Sequence, residues 1–227
     1  VYERFASAAR EGGGPDMLFG SSRWMAKLAE EGLLLDLTEV VAADFLQRYV
    51  PEAVQTMRYD GRLYGIPESV SPLALFYNPE LISDPPNDVH QLLLNIDAER
   101  RAALPVGFFW GYWGMDPFGG FAFDSYTGQV LASDGLTAWL EALREADVQP
   151  GVDLYFDPDA AEDAFAAGEA AYLVSGPWSL ARLQDEVGSD AFEVVPLPNG
   201  PLQAGSPMLQ VEGAMVNVNA SDAAAAT

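Results

Sequence analysis

The chain has 227 residues, carries 34 acidic against 11 basic side chains for a formal charge of -23, and contains no cysteine. A field of that sign repels nucleic-acid phosphates and anionic lipid headgroups, so neither is expected as a partner, and the missing thiols exclude disulfides, thiolate metal sites and cysteine nucleophiles. A hydrophobic fraction of 49% fits a globular protein able to bury a core, as one large domain or two modest lobes, and no apolar run approaches the roughly 20 residues that cross a bilayer.

In chain order, "VYERFASAAREGGG" opens inside an amphipathic helical pattern, with Tyr2, Phe5 and Ala9 near one face and the glycine run as its stop. "PDMLFG" reads as a short buried strand, with Ser21 and Ser22 as capping candidates for the helix "RWMAKLAEE", which stops at Gly32. "LLLDLTEVVAADFLQRYVPEAV" reads as a loop with short helical turns. In "MRYDGRLYGIP", Asp60-Gly61 suits the tight turn of a hairpin. "SVSPLALFYN" predicts a strand entered through a proline, and "PELISDPPNDVHQLLLNI" a loop leading into a helix.

After the aromatic block "VGFFWGYWGMDPFGGFAF", the segment "DGLTAWLEALREADV" predicts an amphipathic helix with Leu136, Trp139, Leu140 and Leu143 as its apolar stripe. "DPDAAEDAFAAG" predicts another, with Asp157 as N-cap, Pro158 at the first position and Gly168 as stop. In "AAYLVSGPWSLARLQDEV" a buried strand meets a turn at Gly176, Pro177 is pre-set for the first helical position, and a helix follows. "AFEVVPLP" and "MLQVEGAMVNV" predict two further strands around the polar loop "NGPLQAGSP". Strands alternating with helices predict an α/β protein with largely parallel sheets.

In open α/β sheets ligands bind beyond the carboxyl ends of strands, where helix N-termini point free N–H groups into a crevice. Trp178 falls at such a place, as do Ser21, Ser22, Arg23 and Trp24 at a strand-to-helix turn far away in sequence. The chain is expected to be a piece of something longer, since it starts without Met inside a helical pattern, and "NASDAAAAT" offers Ser221 or Asp222 as a helix cap and then stops.

Five segments in register, "ERFASAAREGGGPDMLFGSSRWMAKLAEEGLLLDL", "MRYDGRLYGIPESVSPLALFYNPELI", "GGFAF", "DAAEDAFAAGEAAYLVSGPW" and "VVPLPNGP", resemble the extracellular solute-binding proteins of ABC importers, in the branch that includes maltose-binding protein. The resemblance implies a type II periplasmic-binding-protein fold whose two lobes close on a small solute. Residues 1–70 and 210–227 would form an N-terminal lobe and 71–209 the other, with crossings at Val70 to Pro72 and Leu209 to Glu212. Each lobe would be partial, without the family's opening strand-helix-strand and the helices after the last strand.

Sugar-binding members of this family stack sugar faces on aromatic rings and hydrogen-bond the hydroxyl edges. Trp178 matches the family's "GPW" cleft tryptophan. Gly107 and Phe109 align with an acidic residue and a stacking tyrosine, which is a departure. Read as a strand, the block would put Trp110 and Tyr112 on one face and Phe109 and Trp113 on the other or on the following turn. On the N-terminal side "GSSR" replaces a cleft tryptophan and an Asp-Arg pair, leaving Ser22, Arg23 and Trp24 as candidates. Ser71 matches a carboxylate of the relatives, a function that Glu68 or Glu212 would then supply.

The resemblance further implies a monomeric, extracytoplasmic receptor, in the periplasm or at the outer face of the membrane with a removed N-terminal segment as the place for a lipid anchor, which presents a sugar or other small solute to a membrane permease, with no cofactor or metal and no chemistry on the ligand. The rival reading is a carbohydrate-active hydrolase using paired carboxylates. Serine hydrolysis is disfavoured, since the only histidine, His90, reads as a helix-surface residue and no G-x-S-x-G elbow occurs. A protein that keeps the fold as a chemoreceptor partner is a third reading. The acidic stretch "DLYFDPDAAED" is read as a capped helix start and not as a calcium site, because it lacks the EF-hand spacing.

Overall fold

The computed structural model describes residues 1–94, 96–122 and 133–221. Phe123 at the end of "GGFAF" and Asp222, the second cap candidate, lie outside the described residues. The chain divides into two compact units, Val1–Ser71 with Leu209–Thr227, and Pro72–Met208.

In the first unit, α1 (Tyr2–Arg10) buries Phe5, Ala6 and Ala9. Strand β1 (Met17–Ser21) runs into α2 (Ser22–Glu30), whose N-terminus is capped by the Ser21 hydroxyl accepting from the Arg23 amide and whose buried face is Met25, Leu28 and Ala29. Two short helices, α3 (Ala43–Leu46) and α4 (Pro51–Thr56), follow. The hairpin of β2 (Arg58–Tyr59) and β3 (Arg62–Leu63) turns through Asp60 at φ 48° and Gly61 at φ 75°, the paired left-handed residues that a two-residue turn requires. The sheet consists of β1, β10 (Gln210–Val216) and β4 (Gly65–Ser71), with β10 in the middle and antiparallel to both.

In the second unit the sheet order is β7 (Val152–Tyr155), β6 (Ala102–Pro105), β8 (Tyr172–Ser175), β5 (Ala74–Tyr77) and β9 (Glu193–Val195). Strand β6 is parallel to β7 and β8, while β5 is antiparallel to β8 and β9, so all strands but β5 run one way. Helices α5 (Val89–Leu94), α6 (Phe108–Gly111), α7 (Asp134–Ala146), α8 (Pro158–Ala166) and α9 (Ser179–Val187) complete it. Its core includes Leu75, Leu92, Leu104, Trp139 and Val174.

Several expectations are corrected. Largely parallel strands describe the second sheet but not the first, where β10 lies between β1 and β4 and pairs antiparallel with both. The segment "SVSPLALFYN" is split at Pro72-Leu73 between β4 and β5, since proline has no N–H to continue the ladder. Strands β6 and β7, four residues each, carry no alternation to betray them. The aromatic block is no strand. Gly107, at φ 139°, ends the extended backbone, and helical hydrogen bonds such as Gly111 N–H to Gly107 O at 2.8 Å follow. Leu140 of the expected apolar stripe is 55% exposed, because α7 turns Gly135, Trp139 and Ala146 inward. Helix α9 starts at Ser179 rather than at Pro177, which lies in the preceding turn.

Candidate functional site

Because β7, β6 and β8 are parallel neighbours, their carboxyl ends share one edge of the second sheet. Two of these ends turn at a glycine, Gly107 after β6 and Gly176 after β8. The first leads into α6, the second through Pro177 and Trp178 into α9. The Trp178 indole lies across Gly176, where an added Cβ would stand 2.3 Å from the ring, yet the residue is 42% exposed. Trp110 meets Trp178 edge-on at 5.6 Å between centroids and 84°, and Phe109 lies 6.2 Å from Trp178 and 5.5 Å from Trp110. Three rings from two strand-end turns therefore make one cluster, half-buried apart from Trp178.

The other two aromatic candidates separate from this group. Tyr112 packs edge-on against Phe108 at 5.8 Å, and burial, with Asp116 nearby, pushes its phenol pKa up, so it stays a neutral hydroxyl. Trp113 is only 2% exposed and packs on Trp139 at 5.1 Å. A ring enclosed in this way has no face for a solute, so Trp113 is corrected to a core residue; the helical turn places it inward where strand alternation had left it open. Beside α6 an apolar hollow of about 380 Å³ is lined by Phe108, Tyr112, Leu136, Trp139 and Leu140 among others.

A polar cluster that the sequence reading missed lies under the Trp178 turn. Glu162 of α8 is 6% exposed, and Ser175 and Ser179 are buried with it. Ser175 donates to Glu162 Oε1 at 2.9 Å, Ser179 donates to the same oxygen, and the two hydroxyl oxygens are 2.6 Å apart. Arg182 approaches Glu162 Oε2 at 3.6 Å and also donates to Asp163 and Glu186, and its hydrogen bonds to those two carboxylates push its guanidinium pKa further up. The available signal was serine at both ends of "SGPWS" together with one glutamate among the alanines of α8.

In the first unit, the end of β1 places Ser22 and Arg23 at the start of α2, with Arg23 Nε 3.5 Å from Ser21 Oγ. Trp24 is half-buried, lies over Gly20 and tilts against Tyr2 at 6.0 Å, so most of its ring serves packing. Ser21, Glu212 and Ser69 form one rung across β1, β10 and β4, and Gln210 faces Ser71 farther along. The register slips after Glu212, from Ser69 to Pro67, so Glu68 is the extra residue of a bulge. Glu212 and Glu68 are both exposed. Asp157 caps α8 by accepting from the Asp159 amide at 3.1 Å, and His90 is exposed on α5.

The family model described as bacterial extracellular solute-binding protein matches residues 1–227. The chain is 29% identical to the maltotriose-binding protein of Pyrococcus abyssi (strain GE5 / Orsay) over 194 residues, covering 82% of this chain and 42% of that protein. It is 24% identical to a maltodextrin-binding protein of Bacillus subtilis (strain 168), covering 83% and 49% of the two chains. With a galactooligosaccharide-binding protein of the same organism it shares 26% identity, covering 74% and 44%. The chain thus spans about half the length of the curated relatives it matches. All three relatives are named as binding proteins.

Proposed function

The chain belongs to the bacterial extracellular solute-binding proteins, and from that footing we propose that it is the sugar-capturing part of an ABC importer's receptor, acting outside the cytoplasm and presenting its ligand to a membrane permease. The observation that carries the reading is Trp178, a 42% exposed indole at the carboxyl edge of a sheet, flanked by Trp110 and Phe109. The apolar C–H face of a pyranose stacks on such a ring, and its hydroxyl edge takes hydrogen bonds from planar or hydroxylic groups. The relatives, a maltotriose-, a maltodextrin- and a galactooligosaccharide-binding protein, favour an oligosaccharide.

In this proposal Tyr112 offers a neutral hydroxyl at the hollow beside α6, while Ser22, Arg23, Glu68, Ser71 and Glu212 are the further polar groups that would contact the sugar. A solute that binds a closed receptor better than an open one shifts the population by that difference in affinity, and reversing a mostly open population takes roughly 5.5 kcal/mol. No step of ligand chemistry is involved.

The test is calorimetric titration of the full-length receptor, and of this chain, with maltotriose, maltodextrins and galactooligosaccharides, followed by recovery of the sugar. Saturable binding with the sugar returned intact is expected. Cleaved sugar would overturn the reading in favour of a hydrolase, and no binding by the full-length receptor to any of these sugars would overturn the ligand class.

A further inference from the structure

We propose that Glu162 is a positioning residue that sets the orientation of the Trp178 ring, an inference that rests on reading Trp178 as the sugar platform. A buried carboxylate is costly unless it is paired and hydrogen-bonded, and an apolar residue of the same size would serve the packing of α8 equally well. Glu162 is nonetheless 6% exposed among Ala161, Ala164 and Phe165 on the buried side of α8. What it touches gives the reason.

Ser175 is the last residue of β8 and Ser179 the first of α9, so they bracket the turn that holds Gly176, Pro177 and Trp178. Both hydroxyls converge on one oxygen, Glu162 Oε1. The turn is thereby gripped at its two ends from beneath, while the Ser179 amide donates to Gly176 O at 3.1 Å across it. Arg182 lies one turn along α9 and reaches Oε2, tying the helix start to α8 through Glu162 and Asp163.

Trp178 cannot be held by packing on every side, because nearly half of it is open. Its direction follows from the backbone of the turn, from the Gly176 surface under it and from the Trp110 and Phe109 rings beside it. A rigid platform loses less conformational freedom on binding than a swinging one, so the buried carboxylate acts on affinity through preorganisation and makes no contact with the sugar.

The test compares Glu162→Gln, Glu162→Leu and the Ser175→Ala/Ser179→Ala double variant. The indole ¹H–¹⁵N resonance of Trp178, identified by its loss in Trp178→Phe, is recorded on the ligand-free chain, and maltotriose affinity is measured on the full-length receptor. Glu162→Gln keeps an acceptor for both hydroxyls and is expected to keep the resonance sharp and the affinity near that of the parent. The folded Leu variant and the double serine variant are expected to shift or broaden the resonance and to weaken maltotriose binding about tenfold. If Glu162→Leu does not fold, the double variant carries the test. An unmoved Trp178 resonance with parental affinity in a folded Leu or double serine variant would overturn the inference. A parent receptor that binds no sugar overturns the proposed function instead, and the resonance still decides whether Glu162 orients the ring.

Discussion

The indole of Trp178 rests on the α-carbon of Gly176, so close that a methyl group there would stand 2.3 Å from the ring. The same relationship recurs at the end of β1, where a Cβ on Gly20 would meet the ring of Trp24 at 2.3 Å. In each unit a glycine at the end of a strand lets a tryptophan fold back over the backbone. The outcomes differ, because Trp24 is half-buried against Tyr2 and Trp178 is open to solvent.

Gly176→Ala is therefore expected to displace the Trp178 ring without unfolding the protein, since Gly176 is not among the residues with positive φ. The measurement is maltotriose titration alongside thermal unfolding. A fall in affinity of about tenfold with a small change in melting temperature is expected, and unchanged affinity would remove the Gly176 contact from the account.

Trp178→Ala and Trp113→Ala should separate function from stability. The first removes an exposed ring and is expected to weaken sugar binding by about 2 kcal/mol or more with little loss of stability. The second empties a core position beside Trp139 and is expected to cost about 3–5 kcal/mol of folding stability, enough to unfold a marginal protein. Denaturant unfolding and calorimetry on both variants check the contrast.

Glu212→Gln is expected to weaken binding, because Glu212 shares a rung with Ser21 at the start of α2 and is exposed. A lost hydrogen bond to a charged group corresponds to about 1.5–3 kcal/mol. Glu68→Gln, at the bulge, provides the comparison. If both variants bind maltotriose like the parent, neither carboxylate takes part.

Acid should loosen the first unit through Asp36. Its carboxyl is held below the ordinary aspartate range by the Thr38 side chain, then by the Thr38 amide at 2.9 Å, with Arg62 3.7 Å away. A depressed carboxyl contributes stability that is complete above the unfolded-state value of about pH 4 and is lost as the pH falls through the folded-state value. Because Asp36 is partly exposed, a modest effect is expected. Asp36→Asn should flatten this part of the acid limb in melting temperature against pH.

Local signals were legible where they were self-contained. Ser21 and Asp157 cap α2 and α8 as their positions before helical patterns indicate, and Asp60-Gly61 turns the hairpin. The five segments that resemble solute-binding proteins agree with the family to which the whole chain matches. The aromatic block was misread because a run of large rings and glycines has neither the alternation of a strand nor the period of a helix, and Gly107 decides where extended backbone stops. The Glu162 cluster escaped because its serines and carboxylate meet only when α8 packs under β8 and α9.

By itself the sequence determined the caps of α2 and α8, the hairpin turn, the absence of thiol chemistry, the excess of acidic charge and the family, since each depends on neighbouring residues or on composition. Tertiary structure alone decided that β10 enters between β1 and β4, that Trp113 is enclosed while Trp178 stays open, and that a buried glutamate grips the turn beneath it. Burial depends on residues far apart in the chain arriving together, and no local pattern records which face of a ring they cover.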